Sequence, residues 1–205
     1  MKSSRKKIFY DDLAFYVFEE VYEPAEDTFL LAENLAIREG DVVLDMGTGC
    51  GILAVLAAKK AEKVVAVDLN PHAVRCAKLN AEIHGVADRV EVRLGDLFKP
   101  IKKNEKFDVI VFNAPYLPSA PSERKTWIGR AWAGGPTGRK LIDRFIMEAS
   151  RYLKADGKIL LVQSSLANID ETLEKSRKAD LEAQVVVEEK VAFETIVVIQ
   201  AKPYI

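Results

Sequence analysis

The sequence predicts an α/β chain: a doubly wound, mostly parallel sheet of seven strands that closes in an antiparallel hairpin. Three observations carry that expectation. From residue 41 onward, short apolar runs alternate with segments of helical composition, the pattern of strand–helix–strand units. Successive runs stop abruptly at Asp or Asn. The last two runs, 185–191 and 195–201, are only three residues apart, too close for a parallel crossover, so they must pair as a hairpin.

Taken in order, residues 1–25 form an amino-terminal extension, and Arg5, Lys6 and Lys7 read as a solvated end. Residues 26–38 read as a helix that Thr28 could cap, with Glu26 and Asp27 favouring its positive end. The first strand is 41–45, followed by a glycine turn, a helix over 52–60 rich in Ala and Leu, and a second strand at 63–67. A helix over 71–83 closes at His84 and Gly85, both favoured at a helix carboxyl end. The third strand lies near 90–94. The fourth, 107–112, is apolar enough to be buried on both faces of a parallel sheet. A segment rich in Pro, Gly and aromatics follows at 115–139, long enough to signal function. A helix over 141–153, a strand at 158–163 and a helix from 167 to about 178 lead into the closing hairpin. At 205 residues the chain reads as a single domain.

Lysine and arginine number 30 against 31 acidic residues, a net charge of −1. No large basic face is therefore available to neutralise a nucleic-acid backbone. Hydrophobic residues at 49% suffice for a core. Cys50 and Cys76 suggest neither a disulfide framework nor a metal site and read as small buried residues. His72 and His84 flank one helix with no ligand set nearby, so structural roles are expected, and no metal is. No signal-peptide pattern opens the chain and no apolar run approaches a membrane span. A cytoplasmic protein is the expectation.

The chemistry concentrates at strand ends, where open α/β sheets bind ligands. Asp45 closes the first strand, and Gly47, Gly49 and Gly51 follow at alternate positions before a helix begins. Such glycines let the backbone approach a ligand closely, and the helix start adds free N–H groups. A carboxylate beside this turn suits a sulfonium or ammonium better than a pyrophosphate, which favours S-adenosylmethionine over a dinucleotide. Asp68 ends the second strand about 20 residues on, where a ribose-binding acid is expected. Asp96 follows the third strand and could accept from an adenine amino group, with Leu97 packing on the ring.

The fourth strand runs into Asn113-Ala114-Pro115-Tyr116. Pro115 cannot donate to a sheet and pushes Ala114 toward an extended conformation. An Asn amide, backbone carbonyls and a Tyr ring are thereby held together. That cluster suits a planar –NH2 group, whose protons the carbonyls accept and whose face the ring covers. Downstream, segment 115–139 holds both tryptophans, Trp127 and Trp132, beside Arg124, Arg130 and Arg139. Aromatic and Arg side chains suit a surface that grips a substrate or partner.

Together these residues resemble the class I S-adenosylmethionine methyltransferases, and among them the HemK-type protein-glutamine N5-methyltransferases of the eukaryotic and archaeal release-factor branch. The likeness spans roughly residues 21–201. It is most specific at Tyr22-Glu-Pro-Ala-Glu-Asp-Thr28, Asp45-Met-Gly-Thr-Gly-Cys-Gly51, Asn113-Ala-Pro-Tyr116, and Trp132-Ala-Gly-Gly135 with residues 138–145. The family usually carries Pro where this chain has Ala114, whose backbone carbonyl is retained while some stiffness is lost. The resemblance implies a Rossmann-like fold and S-adenosylmethionine as cofactor. It implies that Asp45, Gly47, Gly49, Asp68, Asp96 and Leu97 hold that cofactor, with Asn113 at its edge, and that Tyr22, Glu26 and Thr28 close over its methionine end. Asn113 and Tyr116 would be catalytic. With Ala114 and Pro115 they would hold the glutamine of a Gly-Gly-Gln loop in a class I translation release factor. A small zinc-binding activator subunit is the implied partner, forming a heterodimer. An N6-adenine methyltransferase is the alternative, because its target is also a planar amine; near-neutral charge counts against it. Lysine methylation lacks a general base here, and a non-catalytic subunit would not need the Asn113 cluster.

Overall fold

The computed structural model describes residues 5–204. The chain divides into two compact units, residues 1–100 and 101–205.

The first unit opens on an antiparallel hairpin, β1 (Arg5–Tyr10) and β2 (Leu13–Phe18), paired from Arg5↔Phe18 to Tyr10↔Leu13. The expected solvated end is thus part of a hairpin. Arg5, Lys6 and Lys7 are exposed, yet they lie on a strand whose partner buries Phe15 and Val17. The reversal places Asp11 at φ +48°, a left-handed position that Asp tolerates better than most residues. β2 is fastened to α3 (Pro71–Ile83) by one buried amide. Asn80 Oδ1 accepts the Tyr16 N–H at 2.9 Å, and Nδ2 donates to the Tyr16 and Cys50 carbonyls, each at 2.8 Å. Asn80 thus serves Tyr16 as a neighbouring strand would. One turn later, His84 Nε2 faces the Ala14 carbonyl at 3.0 Å and its ring lies 4.6 Å from Phe15. Its role is structural, as expected.

α1 (Glu26–Glu33) ends earlier than residue 38. Asn34 Nδ2 reaches back to the Leu30 carbonyl at 2.8 Å, replacing the N–H that a continuing helix would have supplied. Its amino cap is Ala25, without a side-chain bond, while Thr28 lies buried inside the helix. The expected Thr28 cap is therefore incorrect. β3 (Val42–Met46), β4 (Lys63–Asp68) and β5 (Val90–Leu94) are parallel, with Asp45 opposite Ala66 and Asp68 opposite Leu94. α2 (Ile52–Ala58) and α3 follow the first two of these strands, α3 ending at His84 and Gly85 as the sequence indicates.

The second unit begins with β6 (Phe107–Asn113), whose Val109, Ile110, Val111 and Phe112 are all buried. The long segment after it is ordered by a short helix, α4 (Trp127–Trp132). α5 (Lys140–Ala149) stops short of the expected residue 153 because Ser150–Tyr152 tighten into a 3₁₀ turn and Leu153 turns extended. β7 (Leu153–Ser164) therefore starts five residues before 158. α6 (Ile169–Lys178) begins after Asn168, whose side chain accepts the Glu171 N–H. β8 (Leu181–Lys190) and β9 (Thr195–Pro203) form the closing hairpin. β6 and β7 are parallel, and β9 runs antiparallel to both β7 and β8. The main sheet has seven strands in the order β5-β4-β3-β6-β7-β9-β8, the doubly wound arrangement with one reversed strand that the sequence indicates.

Candidate active site

In the first unit the three acidic strand ends are tied together by the backbone. Gly47 and Thr48 donate to the Val67 carbonyl at 2.8 and 3.0 Å, which docks the glycine turn on the end of β4. Gly49 N–H donates to Asp68 Oδ2 at 2.9 Å, and Gly95 N–H to the Asp68 carbonyl at 2.9 Å. Asp45, the turn, Asp68 and the start of the Gly95–Leu97 segment thus share one edge. Gly47, Gly49 and Gly51 all have positive φ. At Gly51 a side chain is also excluded by space, since a Cβ would lie 2.8 Å from the Ala77 Cα on α3. Leu97 is buried at φ +50°, a costly position for a branched side chain that persists only where its surroundings impose it. Asp96 pairs with Lys99 at 3.1 Å.

Asp45 is fully buried. Its Oδ2 accepts the Thr48 hydroxyl at 2.6 Å, while Oδ1 has no hydrogen-bond partner. A buried carboxylate oxygen left open at this edge fits a ligand that carries positive charge. Burial pushes the carboxyl up to about 7, the Thr48 bond opposes this, and Asp68 adds to the rise. Asp68 is raised too, chiefly by burial, against bonds from the N–H groups of Asn70, Gly49 and Leu69.

A pH dependence follows for the ligand-free chain. A carboxyl raised from 3.8 to about 7 stabilises the fold below the lower value and loses that contribution as pH rises through the upper one. Relative to Asp45→Asn, the wild type is therefore expected to weaken between about pH 4 and pH 7, by on the order of a few kcal/mol. Paired thermal melts across that range measure the difference; a constant gap would refute it.

The segment before α1 is held to the same edge. Asn70 caps α3 through the His72 N–H at 2.8 Å, its own N–H donates to Asp68 Oδ1 at 2.8 Å, and its Nδ2 donates to the Glu20 carbonyl at 2.6 Å. Tyr22 lies two residues beyond Glu20, and its hydroxyl reaches Asp27 at 3.3 Å. Asp27 also accepts the Thr28 N–H at 2.6 Å and the Thr28 hydroxyl at 3.2 Å. The structure brings Tyr22 and Thr28 together through Asp27 and leaves Glu26 exposed beside them. Sequence reasoning treated Asp27 as a helix-end charge and passed over Asn70. The Asn-Pro start of a helix following an acidic strand end was the available signal for the latter.

In the second unit Asn113 is the last residue of β6, opposite Val162 of β7. Ala114, Pro115 and Tyr116 are buried behind it. Leu117 then bonds on both sides to the far end of the loop, its N–H to the Trp132 carbonyl at 3.1 Å and its carbonyl to the Gly134 N–H at 2.8 Å. The four sequence-predicted residues thus lie between the end of β6 and a backbone-bonded Leu117. Arg130 lies over the Trp127 ring at 4.7 Å, and Arg124 donates to the Ala133 carbonyl.

The family model for ribosomal protein L11 methyltransferase (PrmA) matches residues 28–114. A Methanocaldococcus jannaschii protein assigned as a protein N5-glutamine methyltransferase is 42% identical over 184 residues, covering 89% of this chain and 91% of its own. The Homo sapiens methyltransferase HEMK2 is 31% identical over 194 residues, covering 89% and 90%. Among solved structures, the E. cuniculi Mtq2–Trm112 complex, responsible for methylation of the eRF1 translation termination factor, superposes with a TM-score of 0.72. Its identity is 26%, over 90% of this chain and 99% of that one. The chain belongs to the protein N5-glutamine methyltransferases, a family of S-adenosylmethionine-dependent enzymes.

Proposed function

We propose that the chain, acting as one catalytic domain, methylates the side-chain amide of the glutamine in the Gly-Gly-Gln loop of a class I translation release factor. The observation that carries this reading is the Asn113–Tyr116 group, a half-buried amide followed by three buried residues, an array of acceptors and a ring at the end of β6. The relatives' names point the same way, since one set is described as release factor glutamine methyltransferases and the Mtq2 complex acts on eRF1.

S-adenosylmethionine, when bound, supplies an electrophilic methyl on its sulfonium. Asp45, Gly47, Gly49, Asp68, Asp96 and Leu97 would hold it, and Tyr22, Glu26 and Thr28 would cover its methionine end. The open Asp45 oxygen and the positive-φ glycines, which let the turn backbone approach a ligand closely, fit that assignment. A carboxamide nitrogen is a weak nucleophile because its lone pair is delocalised into the carbonyl. The Asn113 side-chain oxygen and the Ala114 carbonyl would accept its two N–H groups, fixing the amide and supporting positive charge that grows on nitrogen. Tyr116 would pack on the amide plane. Alignment of this kind can remove roughly 7–11 kcal/mol of a barrier. Because Ala114 stands where Pro is usual, β6 and Pro115 supply the stiffness.

A small zinc-binding subunit, as the family resemblance implies, is proposed as the partner; the Mtq2 neighbour is likewise found in a complex, with Trm112. Release-factor chemistry assigns the reaction to the cytoplasm, and no described helix is long and apolar enough to cross a membrane. The test is mass spectrometry of a release factor after incubation with S-adenosylmethionine and the chain, with and without that subunit. Gain of one methylene on the loop glutamine is expected. Label appearing only on adenine or lysine substrates would overturn the reading.

A further inference from the structure

The most heavily bonded side chain of the second unit has no part in the chemistry above. Arg139 precedes α5, is only 3% exposed, and spends its whole guanidinium inside the protein. Nη1 donates to the Ala167 carbonyl, to the Asn168 carbonyl at 2.7 Å and to Thr172 Oγ1 at 2.9 Å. Nη2 donates to Asp143 Oδ1 at 2.8 Å, and Glu171 Oε1 lies 3.2 Å from Nε as an ion pair without hydrogen-bond geometry. Lys175 closes a ring of alternating charges, bonding Asp143 at 2.7 Å and Glu171 at 2.6 Å. A buried ion pair is a poor source of net stability, because desolvation offsets most of its attraction. What it does deliver is a fixed position.

Two short paths lead from that position to the amide-holding residues. Gly138, bonded to Arg139 through the chain, sits at φ +74° directly under Tyr116. A Cβ there would lie 2.1 Å from the Tyr116 carbonyl oxygen and 3.3 Å from the Ala167 Cβ. The second path is polar and buried. Thr172, which accepts from Arg139, donates its hydroxyl to Gln163 Oε1 at 2.6 Å. Gln163 is wholly buried on β7, next to Val162, the residue opposite Asn113. Arg139 thus grips Ala167–Thr172 with its side chain while Gly138, its neighbour in the chain, carries the contact with Tyr116.

We propose that Arg139 is a positioning residue for the substrate amide: it clamps the 134–139 turn to the start of α6 and so holds Tyr116 and Asn113 at one fixed spacing. The proposal rests on the glutamine reading only for the identity of the substrate. A guanidinium is needed because one planar group reaches Ala167, Asn168 and Thr172 through Nη1, Asp143 through Nη2 and Glu171 through Nε, a spread that the single nitrogen of an ammonium cannot span.

The test uses the full chain with its activator subunit and compares wild type with Arg139→Lys, Arg139→Met and Thr172→Val. Three quantities are read: hydrogen exchange of a peptide covering 113–119, kcat and KM on a Gly-Gly-Gln release-factor domain, and calorimetric affinity for S-adenosylmethionine. Exchange about ten-fold faster at 116–119 is expected in both Arg139 variants. A fall in kcat of about 10- to 100-fold should accompany it, with cofactor affinity within about two-fold. Thr172→Val should give a smaller change of the same kind. If Arg139→Met does not fold, Arg139→Lys and Thr172→Val decide. Unchanged exchange and kcat in those two folded variants would overturn the proposal, as would full rescue by lysine. Faster exchange in an enzyme whose wild type leaves glutamine unmethylated would support the clamp and sink the glutamine reading alone.

Discussion

Replacing Asn113 by alanine is expected to reduce glutamine methylation by about 100- to 1000-fold, the loss typical of one preorganised hydrogen-bond partner, about 2.7–4 kcal/mol. The expectation rests on Asn113 being held rather than merely present. It ends a buried strand, pairs with Val162, and is followed by Ala114 at 3% exposure. Its backbone position is therefore fixed before the substrate amide arrives. The effect should fall on kcat, with S-adenosylmethionine affinity nearly intact, because the residues proposed to hold the cofactor are chiefly Asp45, the glycine turn and Asp68. Single-turnover rates with saturating cofactor separate the two. Wild-type rates in the variant would remove Asn113 from the mechanism.

Asp68→Ala should act on the other side of the reaction, weakening cofactor binding on the order of 100-fold, about 3 kcal/mol. That figure corresponds to losing charge-assisted bonds to both ribose hydroxyls. A complication is that Asp68 also accepts the Gly49 and Asn70 N–H groups at 2.9 and 2.8 Å, so its removal loosens the turn as well. A ligand comparison isolates the ribose contribution. S-adenosylhomocysteine and its 2′,3′-dideoxy analogue should differ strongly in affinity for the wild type and hardly at all for the variant. Equal discrimination by both proteins would show that Asp68 supports the turn and does not touch the ribose.

Both residues were legible in the sequence for the same reason. A buried parallel strand is a short apolar run, and a polar residue that ends it abruptly is visible without knowledge of any distant partner. Asp45, Asp68 and Asn113 all belong to this class, as do the helix over 71–83 and the closing hairpin. Arg139 was noticed only as one arginine in an aromatic loop, because its acceptors lie at Ala167, Asn168 and Thr172, about thirty residues further on. Asp27 was obscured by a local explanation that was sufficient by itself. The β1–β2 hairpin was missed because the cations at its start mask an alternating strand, and its reversal at Asp11 and Asp12 lacks the usual Asn-Gly or Asp-Gly signal. The overlong helix predictions at 26–38 and 141–153 share a different cause. Asn34 and Ser150 end those helices through local geometry that composition does not encode.

The way β2 is fastened has a consequence for synthesis. Tyr16 depends on Asn80, which lies 64 residues downstream, and Ala14 on His84, 70 residues downstream. At about 5–20 residues per second a ribosome needs several seconds to deliver them. Throughout that interval Phe15 and Val17 have emerged without the helix that shelters them, an opening that a trigger-factor-like holdase could occupy. Slowing translation between codons 20 and 84 should lengthen this vulnerable period, and the nascent chain should be most prone to proteolysis there.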